Sequence, residues 1–232
     1  MGKFAVAVAL ATTVLAGSAQ ARDKAWYIGL EGGGFISESK SWDITNSVTK
    51  VTVDDGIKNK WEPGWEVGGT LGYDFGGFRS EFEVAYKNAN LNSVTVAGGA
   101  PPLGGPGGPL GYFRTRSGTY DGADGNGQIL SFMLNGMFDF GNNDETPWGG
   151  FVGGGVGIAR FKADIWQLQK YNGPAFADDS DSGFAWQVIA GLRRSLSSKV
   201  DLTFKYRFFN MGGIDLQTTN GHPLEGSWRS HS

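Results

Sequence analysis

Cysteine is absent from this 232-residue chain, and histidine occurs only twice. Without a thiol there is no disulfide framework, no zinc–thiolate site and no thiol nucleophile. A basic excess is absent too. Lys and Arg total 20 against 23 Asp and Glu, the net charge is −3 and the pI is near 5.4. That leaves no electrostatic footprint for nucleic acid. Charged residues reach only 19 %, yet the mean hydropathy is −0.25, which argues against a helical membrane protein. It does not argue against a membrane barrel, whose strands show only half their residues to lipid. What is abundant is glycine, at 39 positions with no three-residue period, so the chain is not collagen-like. Aromatics, at 13 %, are too many for a disordered chain. The length fits one domain or two small ones.

The first 21 residues read as an address. Lys3 gives one positive charge, an apolar run follows from Phe4 to about Gly17, and Ala19 and Ala21 are small residues where a signal peptidase reads. The run is shorter than the ~18 residues of a membrane-anchor helix. A cleaved secretory signal peptide over 1–21 is expected, leaving 22–232 with a net charge of −4 once Lys3 is gone. Export without cysteine suits a bacterial envelope protein.

Beyond residue 25 the apolar residues alternate, and period two means strand. Trp26, Ile28 and Leu30 oppose Tyr27, Gly29 and Glu31. Trp65, Val67, Leu71 and Tyr73 oppose Glu66, Gly68, Gly72 and Asp74. Further segments run through Phe82 and Tyr86, Leu130 and Phe132, Trp148 and Val152, Trp186 and Val188, and Phe204 and Tyr206. In these seven segments one face is aliphatic and aromatic, and the other is glycine, small residues and charge. A soluble sheet alternates as well. The connections separate the two readings. Links 37–60, 91–127, 163–182 and 213–225 are long, whereas Gly76-Gly77, 141–147 and Ser197-Ser198 are short. Long outer loops alternating with short inner turns mark a transmembrane up-and-down barrel. Runs of roughly 11–15 residues suffice, since a tilted strand needs about 9–11 to cross hydrocarbon. Aromatics near segment ends, at Trp26, Trp61, Trp65, Trp148, Phe208 and Phe209, fit interfacial girdles. Seven crossings need an eighth, and residues from about Gly226 begin one that this sequence leaves incomplete.

Several stretches resemble the OmpA-like outer-membrane β-barrel family. They are Ala25-Trp26-Tyr27-Ile28-Gly29, Trp65-Glu66-Val67-Gly68-Gly69 with Gly72-Tyr73-Asp74-Phe75, Phe151-Val152-Gly153-Gly154-Gly155-Val156-Gly157, and Phe184-Ala185-Trp186-Gln187. Trp228-Arg229-Ser230-His231-Ser232 is similar to the start of that family's last strand. The resemblance implies an all-β, eight-stranded antiparallel up-and-down transmembrane barrel in the outer membrane, its last strand incomplete here. It also implies weak pore activity, and in many members a periplasmic domain. A peptidoglycan partner is expected only if such a domain lies beyond this sequence.

The alternation points seven acids inward, Glu31, Glu66, Asp74, Glu81, Glu83, Asp139 and Asp201, and five bases, Arg79, Lys87, Arg193, Lys205 and Arg207. The lumen of an eight-stranded barrel is filled by side chains. Charges there must pair, so a salt-bridge network is expected, with a gate as the sharper alternative. Trp26, Trp65, Tyr73, Phe82, Tyr86, Phe132, Trp148, Trp186, Phe204 and Tyr206 are expected to face lipid or form the girdles.

The remaining candidates are weaker. Gly155-Val156-Gly157 does not complete a dinucleotide fingerprint. Asp121, Asp124 and Asn126 lack the EF-hand spacing. Asp178, Asp179 and Asp181 read as a solvated loop, and 98–111 as an irregular Gly-Pro loop. His222 with Glu225 and Ser227, or Ser230 with His231, could serve a lipid A-modifying enzyme only in a context they lack. The expectation is therefore a non-enzymatic structural or surface barrel. Its partners would be outer-membrane lipid, lipopolysaccharide and the barrel-assembly machinery, and it would use no cofactor or metal. The alternative is an adhesin or antigen whose loops bind cell-surface ligands.

Overall fold

The computed structural model describes residues 11–13, 24–103, 117–143, 146–168, 175–197 and 200–232. The expected signal peptide and the centre of the Gly-Pro loop lie largely outside these residues. Twelve strands are described: β1 (Ala11–Thr13), β2 (Ala25–Ser37), β3 (Lys40–Thr45), β4 (Thr52–Trp61), β5 (Gly64–Asp74), β6 (Phe78–Val96), β7 (Gly118–Tyr120), β8 (Asp124–Asn143), β9 (Thr146–Gln167), β10 (Ala175–Ser197), β11 (Val200–Gln217) and β12 (Pro223–His231). All belong to one antiparallel sheet closing in a ring, and no helix occurs among the described residues.

Eight strands form the wall, in the order β2, β5, β6, β8, β9, β10, β11, β12. A tight turn joins β5 to β6 at the inner end. At Gly76 (φ 109°) the Asp74 carboxylate accepts the Gly76 N–H at 2.8 Å, closing the β5–β6 hairpin. Such a left-handed backbone favours glycine.

The strands are longer than the sequence pattern suggested, reaching 19 to 23 residues in β6, β8, β9 and β10. Much of the expected outer loops is therefore sheet. Link 37–60 holds the hairpin β3–β4, which pairs with β12 on one side and β6 on the other. Link 213–225 largely disappears: β11 runs to Gln217, only 218–222 turn, and β12 begins at Pro223 rather than Gly226. Gly212 and Gly213 form a bulge, with φ +62° at Gly213 and a register shift between Met211 and Ile214.

The reason for the extra length is a change of solvent along each strand. On β6 the outward residues Phe78, Phe82, Val84 and Tyr86 give way to Asn88, Asn90 and Asn92. The inward residues change the opposite way, from Arg79, Glu81, Glu83 and Lys87 to Ala89 and Leu91. The apolar outer stretch of β6 spans 78–86, about 20–23 Å high at ~3.3 Å per residue and a tilt near 40°. Above it the wall stands in water and closes around an apolar core.

The ring is joined unevenly at β12. That strand pairs with β2 at Ser230–Ser37 and His231–Ile36, and with β3 at Leu224–Ile44 and Glu225–Asp43. Arg207 exchanges both backbone hydrogen bonds with Ser232. Below that level, among the described residues, the β11 edge pairs only with Ala11–Thr13, at Thr203, Phe204 and Lys205.

Candidate functional site

The lumen is built in three storeys. At the inner end, β2, β5, β6, β8, β10 and β11 each contribute an inward residue. Arg79 binds Asp139 (Nε–Oδ2 2.6 Å) and lies 3.6 Å from Glu81. The Tyr27 hydroxyl donates to Glu81 at 2.7 Å. Arg193 stands 3.8–3.9 Å from Asp74, Asp139 and Asp201. The Arg79 guanidinium also sits 5.0 Å above the Phe151 ring.

The middle storey has three acids and three bases. Arg207 donates to Glu31, to Glu83 at 3.1 Å and to Glu66 at 3.4 Å. Lys205 binds Glu31 at 2.5 Å and lies 3.7 Å from Glu83. Lys87 binds Glu66. Asn135 donates to Glu83 at 3.1 Å, and Gln187 donates to Asn135 at 2.7 Å. Removing charge from water costs several kcal/mol per ion, roughly, unless geometry and further hydrogen bonds compensate. Equal numbers of each sign and the amide donors supply that compensation. Inward glycines leave the space: a Cβ on Gly155 would stand 1.9 Å from Asn135 Oδ1, and one on Gly72 2.3 Å from the Tyr27 ring.

Lys87 marks the boundary with the third storey. Its ammonium lies 5.3 Å from the Phe35 ring and 5.5 Å from the Phe209 ring. Above it, Trp42, Trp61, Trp166 and Trp228 fill the lumen with Phe161 and Phe176. Their centroids are 4.8–6.0 Å apart in tilted and edge-on pairs, within the favoured range for aromatic contacts. Trp166 Nε1 donates to the Asn126 carbonyl at 2.9 Å.

All twelve charged residues singled out in the sequence lie in the two lower storeys. The aromatic storey was missed. Trp61 and Phe209, read as girdle residues, are buried inside. Trp61 sits on β4 above the lipid band, where the inward face is apolar, and Phe209 alternates with outward Phe208. The other aromatics read as lipid-facing, Trp26, Trp65, Tyr73, Phe82, Tyr86, Phe132, Trp148, Trp186, Phe204 and Tyr206, are all exposed or half-exposed on the outer wall. Arg194 lies 5.3 Å over Trp148 at the inner rim.

These features meet in one architecture: an apolar outer band, a charged interior and a ring of antiparallel strands. The model of the outer membrane protein beta-barrel domain family matches residues 6–222. The chain belongs to that family. Membership places this outer membrane β-barrel in the outer membrane. Among curated proteins none matches it. It is similar to the crystal structure of Neisserial surface protein A (NspA), at 14 % identity and a TM-score of 0.42, over 89 % of this chain and 95 % of that one.

Among the described residues, the groupings weighed from sequence at the outer end of this outer membrane β-barrel are not brought together. His222 is buried, and its Nδ1 accepts the Ser47 N–H at 3.1 Å with the Ser47 hydroxyl at 3.0 Å. Burial pushes its pKa below the ordinary 6.5. Among the described residues no hydrogen bond joins it to Glu225 or Ser227. Ser230 points inward, whereas His231 points outward between the Tyr206 hydroxyl (2.8 Å) and Glu38 (3.2 Å). Asp179 and Asp181 accept the backbone N–H groups of Gln217 and Asp215 at 2.8 and 2.9 Å, splicing β10 to β11 above the bulge. Among the described residues no three His, Asp or Glu side chains converge on a metal position.

Proposed function

We propose that this barrel is a structural and surface-display protein of OmpA-like type that carries no enzyme activity and whose lumen is closed at rest. The observation that carries the reading is the stacking of two different obstructions. The ion-paired storey alone could rearrange, because three acids and three bases can exchange partners. The four-tryptophan storey above it has no such freedom, since buried side chains in mutual contact move only by repacking.

Surface display is favoured by the stiff outer half. The β3–β4 hairpin carries Val48 at its tip, 84 % exposed, on a paired sheet rather than a slack loop. Partners in keeping with this reading are outer-membrane lipid and lipopolysaccharide around the wall, the barrel-assembly machinery during insertion, and cell-surface ligands at the tips. Residues 1–21 act as the cleaved export signal.

The test is single-channel recording with the refolded mature chain, residues 22–232, in planar bilayers. No stable conductance is expected from the wild type. Steady openings would overturn the closed-lumen reading.

A further inference from the structure

The outer surface just above the apolar band is not uniformly polar. Hydrogen-bonded register across β8, β9 and β10 sets the outward residues in rows. The last apolar row contains Phe132, Ile158 and Phe184. In the next row Arg160 stands between Leu130 and Ser182, and in the one above Lys162 stands between Gln128 and Ser180. Two cations thus occupy consecutive outward positions on β9, about 6–7 Å apart along the strand. The first is one row from hydrocarbon.

Their environment holds them in place without neutralising both. Asp164 binds Lys162 at 2.6 Å and accepts from the Gln128 amide at 3.2 Å. Arg160 is exposed and donates to the Ser180 hydroxyl at 2.8 Å. Among the described residues no carboxylate lies within ion-pair distance of its guanidinium. A guanidinium has five N–H donors in a planar fork that matches phosphate oxygens. Directly below it, Ile158 and Phe184 are 63 % and 61 % exposed. That is an aliphatic–aromatic surface suited to acyl chains.

We propose that Arg160, supported by Lys162, binds the phosphate of a membrane lipid in the outer leaflet, with that lipid's acyl chains lying on Phe132, Ile158 and Phe184. Charge complementarity sets the headgroup position, and continuity with the apolar band identifies the ligand as a lipid rather than a free anion. The inference rests on the outer-membrane placement of the barrel and not on the closed lumen, so a conducting barrel would leave it standing.

The experiment measures the thermal unfolding of the refolded chain in detergent micelles, with bisphosphorylated lipid A, dephosphorylated lipid A or inorganic phosphate added. A rise in the unfolding midpoint with the bisphosphorylated lipid alone is expected. The double variant R160A/K162A should unfold at the wild-type temperature without lipid, because both side chains are on the surface, and should need at least ten-fold more lipid for the same rise. R160Q/K162Q serves the same purpose if the alanine pair folds poorly. R194A, at the opposite rim, should respond like the wild type. An equal rise with dephosphorylated lipid or with inorganic phosphate, an unchanged response in the double variants, or an equal loss in R194A would overturn the proposal.

Discussion

Lys205 on β11 reaches Glu31 on β2 at 2.5 Å, across the part of the wall where the two backbones do not pair with each other. Arg207 binds the same carboxylate. Side chains inside the lumen therefore hold two wall strands together where the ladder is thin.

Glu31→Ala should accordingly be costly. It leaves Lys205 and Arg207 short of a partner in a buried site, and breaking one side of such a pair costs about 3–5 kcal/mol. Heat-dependent mobility on detergent gels should show the barrel opening at a clearly lower temperature. Glu31→Gln, which keeps an acceptor oxygen, should lose less. If both variants match the wild type, the bridge contributes nothing.

The aromatic storey should be intolerant of added volume. A Cβ on Gly226 would stand 2.3 Å from the Trp42 ring. Gly226→Val should destabilise by about 1–3 kcal/mol or more through overpacking. Trp228→Ala should cost about 3–5 kcal/mol by leaving a cavity. Urea titration with tryptophan fluorescence would measure both.

The outer face should distinguish lipid from water row by row. Leu134, in the middle of the apolar band, is 59 % exposed in the free protein. Leu134→Arg should cost roughly 2–4 kcal/mol in a bilayer, as lipid-facing arginines do near the midplane. Asn90→Arg, above the band, should cost almost nothing. Reversible unfolding from lipid vesicles would show the contrast, and equal penalties would mean the band is misplaced.

Acid should loosen one outer contact. Burial holds the His222 pKa below 6.5, so the native site favours the neutral ring whose Nδ1 accepts from Ser47. The unfolded chain binds more protons as pH falls below about 6.5. The contribution of this contact is thus fully present above that pH and is lost as pH falls towards the native pKa. Protection of the Ser47 amide from hydrogen exchange should drop over that window. Constant protection factors from pH 7.5 to 5 would contradict this.

The lower two-thirds of the barrel were legible because lipid outside and charge inside write a period-two pattern of one phase. Phe82 against Glu83, or Tyr206 against Arg207, is enough to show it. The outer third uses the reversed phase. Trp42 and Ile44, Ile57 and Trp61, and Ile214 and Leu216 alternate with polar neighbours just as regularly. Embedded among loop-forming residues and read for an apolar outer face, they looked like loop. Register is the other missing element. Nothing local in the sequence sets Arg160 beside Ser182, because irregularities at 175–179 shift the β9–β10 register, or Lys205 against Glu31, because ring closure brings together residues far apart in the chain.

The reversal of both faces at one height fixes how deeply the barrel sits. Sinking it by one row would carry Arg160 and Asn88 into hydrocarbon, and raising it would bare Phe184 and Ile158 to water. Depth is thus set from both directions, independently of any anchor. When the membrane is thicker than the apolar band, the lipid must thin around the protein, at a cost of fractions of a kcal/mol per Å. A band only about 20–23 Å high is at home in a bilayer thinner than average, as the bacterial outer membrane is. The same surface that solvates the barrel therefore also selects its membrane.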